Sequence, residues 1–216
     1  MRPYRQAYFN KRFLETLAAR PIRLLSEYLY PQYIFEQENV TDTIVVFGSA
    51  RVPSPEKIAE GRSGGELGRY YQDARDLGFR LARWSEEVAV PRGRRFLVCT
   101  GGGPGIMEAA NRGAHEAGGP TIGLNINIPA EQVPNPYISR EFSFDFQYFF
   151  MRKYWFLYHA RVLIVFPGGF GTMDELFETL TLQQTRNIAR RIPVILFGRK
   201  FWERGIDLPY LVESGM

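Results

Sequence analysis

Three stretches of this 216-residue chain combine residue types that could do chemistry. In the first, Pro167-Gly168-Gly169-Phe170-Gly171-Thr172 leads into Met173, Asp174 and Glu175. Glycines let a backbone approach an anion closely, and the free N–H groups that open a helix favour negative charge. Gly168, Gly169, Gly171 and Thr172 are therefore candidates for holding a phosphate. Asp174 and Glu175, expected in the first helical turn, suit the helix dipole but sit awkwardly beside that phosphate. A carboxylate at Glu175 cannot be a phosphate ligand. It could hydrogen-bond ribose hydroxyls, stabilise an oxocarbenium-like sugar cation, or orient a water.

The second stretch is the aromatic run FQYFFMRKYWFLYHA over residues 146–160, which contains Arg152 and Lys153. A helix apolar nearly all round is buried on most sides, and an arginine inside it needs an anionic partner. Arg152 does not give up its proton, so it can anchor a phosphate or stabilise a departing group but not act as a general acid. The third is a pair of further glycine turns, Gly48-Ser49 and Thr100-Gly101-Gly102-Gly103-Pro104-Gly105. Each alone is a weak signal, since tight turns need glycine anyway. Neither the 100–105 turn nor the 167–172 turn is a Walker A loop or a Gly-x-Gly-x-x-Gly fingerprint. His115 and His159 lack metal-ligand spacing, Cys99 is alone, and no Ser–His–Asp order, CxxC or HExxH occurs. No metal and no cofactor are expected.

The elements that must position these residues follow from periodicity. Apolar runs near residues 44, 96, 122, 163 and 194 read as buried parallel strands, the third spanning 121–128. Residues 142–145 alternate as a short extended piece. Between them lie helices at 67–88, with Tyr70, Leu77, Leu81, Trp84 and Val88 as the apolar stripe, at 106–117, at 146–160, and from Met173 onward. Thr172 is expected to cap the last of these, with Glu175 completing a capping box. Asn125 and Asn127 are expected to share a face or point to an end, ahead of a polar loop at 129–136 holding Glu131 and Asn135. Residues 1–40 suggest one short helix near Phe13 and a second that starts at Pro21 and is stopped by Pro31. The β(αβ) order predicts an α/β fold: a Rossmann-like, doubly wound, mostly parallel sheet with helices on both faces. In such a fold the glycine turns converge at the carboxyl edge of the sheet.

The net charge of +4 is compatible with phosphate-bearing ligands and is weak support for nucleic acid, which is not expected as a partner. No run approaches the roughly 20 apolar residues of a membrane span, and the basic residues 1–13 precede no signal-peptide core. A cytoplasmic enzyme or binder, without a membrane partner, is expected.

The segment from Pro167 to Glu175 matches the PGGxGTxxE motif of the Lonely guy (LOG) family, long labelled "lysine decarboxylase-like". Met151-Arg152-Lys153 resembles its Arg-Lys element, and Gly101 to Glu108 and Phe47 to Arg51 resemble its other two signatures. The 1–40 extension and the GGGPGIMEAANRGA wording are similar to the longer bacterial members. The resemblance implies hydrolysis of the N-glycosidic bond of a nucleoside 5′-monophosphate, AMP or an N6-substituted AMP such as a cytokinin ribotide, to free base and ribose 5-phosphate. It implies Arg152 and Glu175 as the catalytic pair. Gly48, Ser49, Gly102, Gly103, Met151, Lys153, Gly168, Gly169, Gly171 and Thr172 would bind the substrate or its phosphate. A homodimer or larger homo-oligomer is implied, with sites near subunit contacts. Residues 1–40 would be a helical extension and 41–216 one nucleotide-binding catalytic domain, with another strand and helix expected beyond Met216. No lysine has the surroundings of a pyridoxal phosphate Schiff base, so lysine decarboxylation is not expected. The other reading is a non-catalytic nucleotide or molybdenum-cofactor carrier on the same scaffold.

Overall fold

In the computed structural model, which describes residues 6–88, 93–127 and 133–215, the apolar runs become a six-stranded, all-parallel sheet. The strands are β1 (Thr43–Phe47), β2 (Leu97–Thr100), β3 (Thr121–Ile126), β4 (Ser143–Phe146), β5 (Ala160–Val165) and β6 (Val194–Leu196), in the order β4-β3-β2-β1-β5-β6. The sheet grows outward from β1 in one direction through β2, β3 and β4. It then resumes on the other side of β1 with β5, where Val46 pairs with Ile164 and Phe47 with Val165. This reversal between β1 and β5 is the switch point at which a crevice opens in sheets of this class.

Alternation along each strand explains the two layers. Val45, Phe47, Leu163 and Val165 face one core with Phe144, Trp155, Phe156 and Leu176. Ile44, Val46 and Ile164 face the other with Tyr70, Tyr71, Ala74, Ile106 and Ala110. The helices are α1 (Lys11–Leu14), α2 (Arg20–Gln37), α3 (Pro55–Ala59), α4 (Arg69–Glu87), α5 (Ile106–Glu116), α6 (Phe149–Tyr158), α7 (Phe170–Gln184), α8 (Arg199–Gly205) and α9 (Leu208–Glu213). Among the described residues no helix is long and apolar enough to cross a membrane.

Several boundaries differ from expectation. The third strand ends at Ile126 rather than Ile128, and Ile128 and Glu131 lie outside the described residues. The second strand starts at Leu97 because Phe96 adopts a left-handed φ of 60°. The 142–145 piece is a full edge strand, paired with β3 from Gly123↔Ser143 to Ile126↔Phe146.

Pro31 does not stop its helix: α2 runs through it to Gln37. A proline has no N–H for the carbonyl one turn earlier, here that of Glu27. The indole Nε1 of Trp155 donates to that carbonyl at 3.0 Å, so α6 supplies the missing bond.

On α4 the buried stripe is Tyr70, Tyr71, Ala74, Gly78 and Ala82; of the expected stripe Tyr70 is buried, Leu77 and Leu81 pack half-buried against the same core, and Trp84 is exposed. Small residues win that face because α4 lies against α5 with backbones almost touching. A Cβ on Gly78 would stand 2.3 Å from the carbonyl oxygen of Ala110, and one on Gly113 1.8 Å from that of Arg75. Alanine is the better helix former by about 1 kcal/mol, but here it must push two helices apart. Gly113→Ala is therefore expected to destabilise the fold by about 3 kcal/mol in urea unfolding. A neutral or stabilising result would mean that the helices separate freely.

Candidate functional site

Three turns at the carboxyl edge are tied to one another through their backbones. Phe166 N–H donates to Phe47 O at 2.8 Å, Ser49 N–H to Pro167 O at 3.0 Å, and Ile106 N–H to Ser49 O at 3.1 Å. Gly48 has no room for a side chain, since a Cβ would lie 2.5 Å from Ile106 Cγ2. Both backbone polar groups of Ser49 are thus used in joining the turns, and its Oγ accepts from the N–H of Arg51 at 3.1 Å.

The 101–105 turn is held from beneath by a buried polar set. Gly102, at φ +70°, donates its N–H to Thr100 Oγ1 at 2.9 Å. Its carbonyl accepts from the backbone N–H of Asn135 at 2.8 Å and from Asn135 Nδ2 at 3.1 Å. Asn135 Nδ2 also reaches Gly103 O at 3.2 Å and Asn111 Oδ1 at 2.9 Å, and Thr100 Oγ1 donates to Asn111 Oδ1 at 2.6 Å. Asn111 Nδ2 in turn donates to Thr121 Oγ1. Asn125 points into the same ground: a Cβ on Gly102 would fall 2.0 Å from its Oδ1, an atom that is buried and has no hydrogen-bond partner. Asn127, beyond the strand end, is exposed.

The third turn departs from expectation in detail. α7 starts at Phe170 with Gly169 at its N-cap position, so Thr172 lies inside the first turn and caps nothing; its N–H donates to Gly169 O at 3.0 Å. Its hydroxyl folds against Gly168, where a Cβ would come within 2.1 Å of Oγ1. Asp174 and Glu175 consequently fall in the second turn, not the first, and form no capping box. Only a glycine at 168 leaves room for the Thr172 side chain to fold back in this way. Gly169, Phe170 and Gly171 are exposed, and a Cβ on Gly169 or Gly171 would meet nothing within 4 Å. Glu175, four residues after Gly171, lies on the same helical face and is buried at 9% exposure.

α6 carries the basic residues over this edge. A Cβ on Gly101 would be 2.8 Å from Arg152 Nη2, so the guanidinium lies across the second turn. It also lies 5.1 Å from the ring centroid of Phe156, and its Nε is buried without a hydrogen-bond partner. Burial holds the guanidinium below its ordinary range, countered by the charge of Glu175. Burial likewise pushes the Glu175 carboxyl up to about 7, against the pull of Lys153 and Arg152. Lys153 is bound elsewhere, 2.7 Å from Asp174 and 2.6 Å from Glu178. Burial lowers its pKa, but those two hydrogen bonds outweigh burial and leave it raised. Met151 packs half-buried against the apolar core. Arg152, Glu175 and the turns at 101–103 and 168–172 thus come together, while Lys153, whose charge also acts on Glu175, pairs with Asp174 and Glu178, and Met151 packs against the core. The supporting Asn111 and Thr100 and the donor Asn135 went unassigned in the sequence. The signal that could have found Asn111 is a lone amide inside the small apolar helix IMEAANRGA. A concave region of about 790 Å³ lies elsewhere, between residues 66–70 and 200–205.

A parallel sheet with three glycine turns meeting at its switch point is an open α/β protein with an anion-suited crevice. Residues 107–216 match the family described as "Possible lysine decarboxylase", and the chain belongs to that family. The pyrimidine/purine nucleotide 5′-monophosphate nucleosidase of Escherichia coli K12 is 34% identical over 117 residues, covering 50% of this chain and 25% of that protein. A probable cytokinin riboside 5′-monophosphate phosphoribohydrolase of Oryza sativa subsp. japonica is 31% identical over 133 residues, 58% of this chain and 47% of that one. The chain therefore spans between a quarter and about half the length of these curated relatives. The fold is shared with the molybdenum cofactor binding protein from the phototrophic bacterium Rippkaea orientalis, at a TM-score of 0.51 and 20% identity over 79% of this chain and 85% of that chain.

Proposed function

We propose that the protein hydrolyses the N-glycosidic bond of a nucleoside 5′-monophosphate, AMP or an N6-substituted AMP, to free base and ribose 5-phosphate. The observation that carries this reading is Glu175: a buried carboxyl titrating near 7, one helical turn beyond an open glycine turn and within the field of Arg152. The phosphate lies at the exposed N–H groups of the Gly169 and Gly171 turn, which puts the sugar toward Glu175. As the C1′–N bond breaks, its electron pair leaves with the base and positive charge develops at C1′. The ionised Glu175 stabilises that charge and takes a proton from the incoming water, whose hydroxyl adds to C1′. That proton balances the one the departing base gains. Arg152, always charged and with a free Nε–H, binds the phosphate or the base as negative charge builds there.

The names of the nucleosidase and phosphoribohydrolase relatives support the same reaction. Lysine decarboxylation finds no support in the site. Of the four lysines, Lys11, Lys57, Lys153 and Lys200, the one beside it is Lys153, held as an ammonium between two carboxylates. A panel of nucleoside monophosphates assayed for free base and ribose 5-phosphate tests the proposal. Stoichiometric release of both products from at least one of them is expected. Tight binding of one nucleotide with no release from any would overturn the hydrolase in favour of a carrier.

A further inference from the structure

α6 carries Arg152, yet its start is held by a residue 120 positions earlier in the chain. The carboxylate of Glu27, on α2, accepts from the backbone N–H of Gln147 through Oε1 at 2.8 Å and from that of Tyr148 through Oε2 at 3.2 Å. Tyr148 is the N-cap residue of α6, and no side chain of its own segment caps it. The carbonyl of Tyr148 then accepts the backbone N–H of Arg152 at 3.2 Å. One residue, Tyr148, therefore connects the Glu27 carboxylate to the backbone of Arg152. The same residue grips the helix a second time, because its main-chain carbonyl, freed by Pro31, accepts the Trp155 indole at 3.0 Å. Tyr28 adds ring contacts, with centroids 5.5 Å from Tyr154 and 5.9 Å from Trp155. Glu27 meets the positive end of a helix whose first turn contains no acid of its own, so its charge is well placed.

We propose that Glu27 is a positioning residue for Arg152, fixing the start of α6 so that the guanidinium lies over the Gly101 turn; this rests on the hydrolase reading of the site. The Arg152 Nε has no partner to hold the side chain from within the site, so its aim depends on the helix that carries it. An error of about 1 Å in such a group costs up to roughly 100-fold in rate.

The test is a double-variant cycle on the full chain, using Glu27→Ala, Glu27→Gln, Arg152→Ala and the pair Glu27→Ala/Arg152→Ala. Each is measured for unfolding midpoint, for hydrogen exchange at the amides of residues 147–153, and for kcat and KM on AMP or the best monophosphate of the panel. Glu27→Ala is expected to stay folded, to speed exchange at 147–153, and to lower kcat/KM about 10-fold. Glu27→Gln, whose amide oxygen still accepts an N–H, is expected to recover part of that loss. In the Arg152→Ala background, Glu27→Ala is expected to cost less than about 2-fold, since a positioning effect vanishes with the group positioned. Equal losses in both backgrounds, or a folded Glu27→Ala with unchanged kcat/KM, would overturn the proposal. If the wild type turns over no monophosphate, the hydrolase reading fails by itself. The cycle is then read on the dissociation constant for AMP, where Glu27→Ala must weaken binding only when Arg152 is present.

Discussion

Glu175→Gln is expected to lower kcat/KM for base release by about 10³-fold while making the folded protein more stable above neutral pH. The two effects share one cause. Burial raises the carboxyl from its ordinary 4.5 to about 7. A group whose folded pKa is raised contributes stability that is complete below its unfolded pKa and is lost as pH rises through the folded one. Between about pH 4.5 and 7 the unfolded chain ionises this group while the folded protein keeps it protonated, so about 3 kcal/mol of stability is lost over that window, and above it the folded protein carries the buried charge. Glutamine never ionises. Urea unfolding at pH 4.5 and pH 8 checks the result: the variant should gain on the wild type only at the higher pH. An equal difference at both would show that Glu175 is not destabilised by its surroundings. The same titration sets the acid limb of wild-type kcat/KM near pH 7.

Arg152→Ala is expected to cost about 10²- to 10³-fold in kcat/KM, with Arg152→Lys recovering little, because an ammonium cannot reproduce the planar fork that lies across Gly101. A second signature distinguishes this from simple loss of binding. Arg152 pulls the Glu175 pKa down, so its removal leaves the carboxyl harder to ionise. The acid limb of the pH–rate profile should move to higher pH in Arg152→Ala. An unmoved limb would mean that the two groups act independently.

Much of this site was legible in the residues. A five-residue apolar run followed by Pro-Gly-Gly can only be a strand that ends abruptly. Three such endings in a β(αβ) order must meet at one edge, as the 48–49, 101–105 and 167–172 turns do. Arg152 was identifiable because a guanidinium in an aromatic helix needs a reason to be there. What escaped were features whose partners are far away in sequence. Pro31 reads locally as a stop, and only Trp155, 124 residues later, makes it tolerable by bonding the carbonyl of Glu27. The stripe of α4 was legible at Tyr70, Leu77 and Leu81 but its centre was missed, because leucine and tryptophan outweigh glycine and alanine on any hydrophobicity count, whereas close approach to α5 selects the small residues. The start of α7 was misplaced because a threonine three positions before a glutamate fits a capping box, whereas the helix begins at Phe170 with Gly169 at its N-cap.

The mutual hydrogen bonds among the three turns have a thermodynamic consequence. Because Ser49 N–H is bonded to Pro167 O and Ile106 N–H to Ser49 O, no turn can shift without breaking a bond to its neighbour. The floor of the crevice is preorganised, and a phosphate arriving there immobilises little backbone that was not already still. Calorimetry with ribose 5-phosphate should therefore report a small conformational-entropy penalty. Under the proposed function, discrimination among bases would fall to the parts of the crevice rim that are not tied into this block.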